Sequence, residues 1–126
     1  LADFPVEVVF GHLGYVPAAK GVNTPGFRGL LDLMRDGKAW VKLTAPYRIS
    51  PNTMPHADTN AFAHALITAN PDRVVWGSDW PHATASAGRH PMPDDARQID
   101  RLAQWAGDAD TLHRILVTNP QRLYGF

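Results

Sequence analysis

The sequence predicts an α/β fold in which short parallel strands alternate with helices. Three apolar runs rich in β-branched and aromatic residues have the character of strands, at residues 6–10, 39–44 and 74–76. Apolar residues between and after these runs recur at helical spacing. The connections are long enough for parallel crossovers, so the predicted order is strand, helix, strand, helix, strand, helix, helix.

The first unit pairs the strand at residues 6–10 with a helix. The strand runs into Gly11-His12-Leu13-Gly14, and a loop containing prolines and glycines follows. The next apolar residues have helical spacing, and a glycine after them is a plausible C-cap. These residues are Phe27, Leu30, Leu31, Met34 and the capping Gly37.

The second and third units follow the same plan. The run at 39–44 leads to Tyr47 and Arg48, and a helix is predicted from Asp58 until Asn70-Pro71 ends it. After the third strand, residues 83–93 are predicted to form a loop over a site.

Two further helices are predicted near the end of the sequence. Asp94 or Asp95 caps the first, and the second covers roughly residues 109–118. Asn119-Pro120 is predicted to break the second helix, and the apolar segment 123–126 is predicted to pack down.

Length and composition narrow the class of protein. The 126 residues suffice for one domain but not for a closed eight-stranded parallel barrel, which needs about 250. Twelve basic and twelve acidic residues balance, so no nucleic-acid or membrane partner is expected. Cysteine is absent, which excludes disulfides and thiolate chemistry. A cytoplasmic location is the default expectation.

Polar side chains follow each predicted strand: His12, then Arg48, then Asp79. Parallel strands bring their carboxyl ends together, so these three side chains are expected to share one pocket. Asp79 could deprotonate water, His12 could polarise a carbonyl or move a proton, and Arg48 could clamp a carboxylate. The set suits hydrolysis of a substrate that bears a carboxylate.

Structural roles compete with each of these assignments. Asp79 could cap the turn before Pro81, and His12 could be a structural imidazole between glycines. Arg48 could lie on the surface, and His82 could hold its loop. Trp80, by contrast, is interpreted as functional, because an aromatic ring in the site loop could form a wall for a planar substrate.

The sequence lacks the motifs of several other catalytic classes. It contains no G-x-S-x-G elbow, no phosphate-binding loop and no His-x-His pair on a strand. His12 and Asp79 alone would supply two metal ligands, fewer than zinc requires.

Four ordered motifs and the closing segment resemble the amidohydrolase superfamily. They are Phe10-Gly11-His12-Leu13-Gly14, Trp40-Val41-Lys42-Leu43-Thr44 with Tyr47-Arg48, Trp76-Gly77-Ser78-Asp79-Trp80-Pro81-His82, Met92-Pro93-Asp94-Asp95, and the closing Asn119-Pro120-Gln121-Arg122-Leu123-Tyr124. The sequence looks most similar to the C-terminal part of the amidohydrolase-2 branch of 2-pyrone-4,6-dicarboxylate lactonase-like hydrolases.

This resemblance implies that residues 1–126 are strands six to eight of a distorted TIM (β/α)8 barrel, with a terminal helix. By similarity, Asp79 activates water, His12 is the strand-six histidine, and Arg48 holds a substrate carboxylate. Tyr47, His82 and Trp80 are expected to contact substrate. The N-terminal half of the barrel, with its strand-one histidines, would be absent, so the sequence is expected to be a fragment of a longer protein.

The leading functional hypothesis is a hydrolase that opens a small carboxylated lactone without a cofactor. One alternative is a metal-dependent amidohydrolase or decarboxylase that binds a divalent ion such as zinc with His12 and Asp79. Another alternative, from a different class, is an inactive half-barrel that self-associates through its open face.

Overall fold

Three parallel strands form the sheet of this protein, in the order β1-β2-β3. The computed structural model describes residues 5–126. The strands are β1 (Val8–Phe10), β2 (Ala39–Leu43) and β3 (Val74–Trp76). Val9 lies opposite Trp40, and Lys42 lies opposite Val75. The predicted α/β class with parallel strands is therefore confirmed.

Helices connect the strands and continue after β3. They are α1 (Pro25–Arg35), α2 (Asn60–Ala69), α3 (Ala83–Ser86), α4 (Asp95–Ala106), α5 (Ala109–His113) and α6 (Asn119–Tyr124). A π-helical turn at Arg114–Thr118 joins the last two. Within residues 5–126, no helix combines the length and apolar character needed to cross a bilayer.

Local sequence signals explain why α1 and α4 begin where they do. The Thr24 hydroxyl accepts a hydrogen bond from the Phe27 amide, and Pro25 occupies the first turn, where its missing N–H costs nothing. The Asp94 carboxylate accepts from the Arg97 amide in the same way. Gly37 follows α1 with φ of 69°, as expected for a glycine just after a helix end.

The hydrophobic core lies between the helices and one face of the sheet. Its largest fully buried members include Phe27, Phe62, Leu66, Leu102 and Ile115. The other face carries Val9, which is 38% exposed at the centre of β1. The same face carries Trp40, opposite Val9, and Val75, opposite Lys42, and both of these side chains are buried.

The strand and loop boundaries differ from the prediction in two places. The first strand begins at Val8 rather than at residue 6, and Val6 and Glu7 are exposed. The segment 83–93 is not wholly irregular, because α3 occupies its first four residues. Alanine and serine there permit a single helical turn that the loop composition concealed.

The predicted break at Asn119-Pro120 is wrong. Pro120 lies in the first turn of α6, where a proline is tolerated, so the chain stays helical up to Tyr124. The predicted packing of the tail is also wrong, since Phe126 is 78% exposed and stacks on the exposed ring of Tyr124.

Asn119 anchors the last helix to the sheet. Its side chain is fully buried, and Nδ2 donates to the backbone carbonyls of Pro71, at 2.8 Å, and Val74, at 2.7 Å. Those carbonyls begin the segment that leads to Asp79, so α6 helps to fix the strand that carries the predicted base.

Candidate active site at the carboxyl end of the sheet

The three strand ends bring His12, Arg48 and Asp79 together; His12 and Asp79 line one cleft, and Arg48 contacts both of them without lining it. Arg48 Nη1 lies 3.1 Å from His12 Nε2 and 4.0 Å from Asp79 Oδ2. The cleft has a volume of about 390 Å³, and its lining includes His12, Lys42, Asp79 and Trp80. An acid, an imidazole and a guanidinium therefore meet beside an open space that can admit a small molecule.

The backbone at this end of the sheet adopts conformations that non-glycine residues rarely take. His12 has φ of 49°, Asp79 has φ of 72° and His82 has φ of 55°. Left-handed conformations at such residues are unfavourable and occur preferentially at functional sites. Gly77 permits a close approach here, because a Cβ at that position would lie 3.2 Å from the Thr44 methyl group.

The contacts of His12 define its tautomer. Arginine carries only donors, so Arg48 donates to Nε2, which must hold a lone pair. The proton of the neutral ring therefore lies on Nδ1 and is donated to the Thr44 hydroxyl oxygen, at 2.9 Å. The same oxygen accepts from the His12 backbone amide, at 3.2 Å. Thr44 thus fixes both the backbone and the ring of His12.

The electrostatic surroundings of His12 favour its neutral form. Burial lowers its pKa below the ordinary value of 6.5, and the adjacent Arg48 lowers it further. The Asp79 carboxylate acts in the opposite direction, and the smaller effect of Lys42 again lowers the pKa. The imidazole is therefore a neutral acceptor at neutral pH.

The Asp79 carboxylate is held by a hydrogen bond from a buried tyrosine. The Tyr47 hydroxyl donates to Asp79 Oδ2 at 2.6 Å, and the Tyr47 side chain is almost fully buried. Burial raises the pKa of Tyr47 well above its usual range, and the hydrogen bond to Asp79 raises it further. The phenol therefore stays protonated and can act only as a donor to a charged carboxylate.

The other predicted contacts are distributed differently around the cleft. Trp80 lines it and is 79% exposed. His82 is buried, and its Nε2 lies 3.2 Å from Asp95 Oδ2 at the start of α4. The structure thus brings Trp80 to the cleft and places His82 against α4.

Tyr15 is a neighbour of the site that sequence reasoning missed. The Arg48 guanidinium lies 5.7 Å from the Tyr15 ring centroid, and the same ring lies 5.7 Å from the His12 ring. Its position three residues after His12, in the turn that ends β1, was the available signal.

A comparison with families of known proteins identifies the class to which this fold and site belong. The sequence model described as amidohydrolase matches residues 1–126. The chain belongs to the amidohydrolase family. The match includes all three strand ends that build the cleft.

Named relatives of this amidohydrolase chain act on lactones. It is 42% identical over 125 residues to 4-sulfomuconolactone hydrolase from Rhizobium radiobacter, covering 99% of this chain and 42% of that protein. It is 36% identical over 118 residues to D-galactarolactone isomerase from Agrobacterium fabrum, covering 92% of this chain and 39% of that protein. The chain thus spans about two fifths of the length of these relatives.

A solved structure shares the fold of this amidohydrolase chain. It is described as a probable 2-pyrone-4,6-dicarboxylic acid hydrolase from Acinetobacter baumannii with citric acid bound. The TM-score is 0.78 at 26% identity, and the match covers 99% of this chain and 46% of that one.

The amidohydrolase family includes metal-dependent and metal-independent members, so a metal bound by His12 and Asp79 is one possibility for this cleft. The described residues 5–126 contain no group of three or more histidine and carboxylate side chains arranged to hold an ion. The His12 nitrogen that would coordinate the ion faces the guanidinium of Arg48 instead. With His12 engaged in this way, Asp79 is the other predicted ligand, and these two side chains are fewer than a zinc site requires.

Proposed function

We propose that the protein to which these residues belong is a hydrolase that opens a small carboxylated lactone. In this proposal residues 1–126 are its C-terminal portion, strands six to eight of a distorted (β/α)8 barrel. The observation that carries the activity is that Asp79 and neutral His12 line one cleft at the carboxyl ends of parallel strands, with Arg48 in contact with both. Barrel enzymes assemble their chemistry at that end.

The partly open second face of the sheet supports the barrel. Val9 and Lys42 lie on that face and line the cleft, although Trp40 and Val75 beside them are buried. In a closed barrel that face would point inward, toward side chains from the other strands. The named relatives are more than twice as long as this chain, which leaves room for those strands.

Arg48 recognises the substrate carboxylate in this proposal. Its guanidinium is partly buried, is held by the neutral His12, and is 4.0 Å from its nearest carboxylate oxygen. It therefore retains donors for a bidentate contact with a second carboxylate. Lys42 adds a positive side chain to the lining of the cleft.

Asp79 acts as the general base toward a water molecule. As the carboxylate takes a proton, the water oxygen attacks the lactone carbonyl carbon and forms a tetrahedral intermediate. Collapse of this intermediate breaks the ring C–O bond. The departing oxygen receives the proton from Asp79, and the products are a carboxylic acid and a hydroxyl group on one open chain.

The tautomer of His12 decides between its two predicted roles. Polarising a carbonyl would require a proton on Nε2, but that atom carries a lone pair and accepts from Arg48. His12 therefore holds the guanidinium in place. It can accept a proton at Nε2 when Arg48 turns to the substrate.

Tyr47 and His82 position the base in this proposal, while Trp80 meets the substrate. Tyr47 donates to Asp79 from a buried site, and His82 fastens the same turn to Asp95 on α4. The exposed Trp80 ring provides a flat apolar surface for a planar lactone.

Substitution of Asp79 in the full-length protein tests the proposed reaction. We expect Asp79→Asn to lower kcat for lactone opening by about 10³-fold or more, because the amide keeps the shape but cannot take the proton. Binding of a carboxylated lactone, measured by calorimetry, should persist. Asp100→Asn, at an exposed position on α4, is the matched control.

Two outcomes would contradict the proposal. The first is an Asp79→Asn enzyme with the turnover of the parent protein. The second is a purified full-length protein that is inactive after chelation and regains lactone opening with zinc, which would favour the metal-dependent alternative.

A further inference from the structure

A second cavity lies next to Tyr47 and has no part in the proposed reaction. Its volume is about 240 Å³, and the Tyr47 side chain, Met54, His56, Met92 and Pro93 contribute to its lining. It is built by the loop after β2 and the loop before α4. It shares no lining residue with the cleft of His12 and Asp79. We call it the Tyr47 cavity.

His56 lines the Tyr47 cavity and carries an unpartnered polar atom. The residue is 6% exposed, and its Nδ1 is buried without a hydrogen-bond partner among the described residues. A buried polar atom without a partner is unfavourable and calls for an explanation, such as a bound molecule. The backbone of His56 is fixed, since its amide donates to the Thr53 carbonyl and its carbonyl accepts from the Thr59 hydroxyl.

The imidazole of His56 is neutral and has a defined free site. Burial lowers its pKa below 6.5, and the nearby charges of Arg101 and His90 lower it further, while Asn52 and Asp58 act in the opposite direction. Asn52 contributes through a backbone hydrogen bond to the ring. The Nδ1 atom of a neutral imidazole is either a donor or an acceptor, and a hydroxyl group can pair with it in both cases.

The chemistry of the lining selects the ligand. None of the residues that line the Tyr47 cavity is charged, and methionine, proline and tyrosine provide apolar and aromatic walls. A carboxylate is disfavoured, because the lining of the cavity offers no cation to balance its charge. A flat molecule with one hydroxyl group can satisfy both the walls and His56.

We propose that the Tyr47 cavity is a second binding site, for a small uncharged ring compound with a hydroxyl group, with phenol as the simplest example. The hydroxyl forms a hydrogen bond with His56 Nδ1, and the ring packs against Tyr47 and Met92. The site is separate from the cleft, so it does not rest on the proposed lactone hydrolysis.

Paired ligands test the proposal on the full-length protein. Phenol and toluene have the same shape, and only phenol can donate a hydrogen bond. Their dissociation constants are measured by NMR titration in the parent protein and in His56→Asn. Asparagine tolerates the left-handed backbone at this position, where φ is 53°, but its shorter amide replaces the ring.

We expect saturable binding of phenol and a change in the His56 Nδ1 resonance. The affinity of phenol relative to toluene should fall about fivefold in His56→Asn, the range for one neutral hydrogen bond. His64→Asn, at an exposed position on α2, should leave that ratio unchanged. Met92→Ala should weaken both ligands without altering the ratio, which keeps the test informative if His56→Asn folds poorly.

Other results would overturn the site. These are no saturable binding of phenol to the parent protein, an unchanged phenol-to-toluene ratio in His56→Asn, or displacement of phenol by a carboxylated lactone. Phenol binding that persists in Asp79→Asn while turnover is lost supports the site independently of the hydrolase. Loss of phenol binding in Asp79→Asn would show that phenol occupies the cleft, which also overturns the proposal.

Discussion

The two ends of the sheet contain the same three kinds of side chain in different arrangements. At the amino end, Glu7, Trp40 and Arg73 meet around the start of the strands. At the carboxyl end, Asp79, Tyr47 and Arg48 meet beside the cleft. Each group joins a carboxylate, an aromatic ring and a guanidinium, so the comparison isolates the effect of geometry.

At the amino end the three groups satisfy one another. Glu7 contacts the Arg73 guanidinium directly and accepts from Trp40 Nε1 at 3.0 Å. Arg73 also lies over the Trp40 ring, 4.8 Å from its centroid. The hydrogen bonds from Arg73 and Trp40 lower the pKa of Glu7 below its ordinary value of 4.5. This cluster ties β1, β2 and the start of β3 together.

At the carboxyl end the charges are held apart. Arg48 is 4.0 Å from Asp79 and directs its hydrogen bond to neutral His12 instead. His12 and Asp79 both have positive φ, whereas the residues of the amino-end cluster do not. Strain and incomplete charge pairing are unfavourable for stability but suit a site that must receive a charged substrate.

Among the substitutions that compare the two ends of the sheet, Arg48→Met should have the largest effect on the kinetics. Loss of the charged hydrogen bonds to a substrate carboxylate should raise KM by roughly 30-fold in the full-length enzyme. Arg28→Met, at an exposed position on α1, should leave KM unchanged. Steady-state kinetics would count against the carboxylate clamp if KM were the same in both variants.

Tyr47→Phe should lower kcat by about tenfold with little change in KM, because its hydroxyl donates to Asp79. A substrate-binding tyrosine would give the reverse, with KM raised and kcat preserved. Parallel measurement of both constants therefore distinguishes a residue that positions the base from one that contacts the lactone.

Glu7→Gln should affect stability alone. We expect a loss of less than about 1 kcal/mol in the free energy of unfolding, because the Glu7 side chain is exposed, and unchanged turnover. The lowered pKa means that the ionised Glu7 stabilises the fold above pH 4.5, and that this contribution is lost as pH falls through the folded pKa. Between about pH 5 and pH 3, the free energy of unfolding should fall more steeply with decreasing pH in the parent than in Glu7→Gln. A fall in kcat would show that the two ends are coupled.

The smallest expected effect is a shift in the pKa of His12. Since Arg48 helps to lower the His12 pKa, Arg48→Met should move the NMR titration of His12 to higher pH. The unfolded chain binds a proton near pH 6.5, before the folded protein does, so this residue reduces stability as pH falls below that value. An unshifted titration would mean that burial alone keeps the ring neutral.

Much of this arrangement could be predicted from the sequence because it depends on strand ends. Parallel pairing of β1, β2 and β3 requires His12, Arg48 and Asp79 to emerge at the same end, whatever their exact side-chain directions. The cap of α4 was predicted for a similar reason, since it depends on the local side chain of Asp94.

The remaining features of the site depend on side-chain directions that the local sequence does not determine. His82 follows Asp79 closely, yet positive φ at both residues accompanies a turn in which His82 meets Asp95 instead of the cleft. The bond from Tyr47 to Asp79 joins residues 32 positions apart, and no spacing rule predicts it. The predicted helix break at Pro120 was wrong because the π-helical turn before it leads directly into a second helix.

The exposure of Trp80 makes the cleft visible to fluorescence. Trp40 and Trp105 are buried and should emit at shorter wavelengths, while the exposed indole of Trp80 is relaxed by water and should emit at longer ones. A planar molecule that stacks on Trp80 would displace this water and quench the long-wavelength component. The intrinsic emission of the protein can therefore report occupancy of the cleft without an added label.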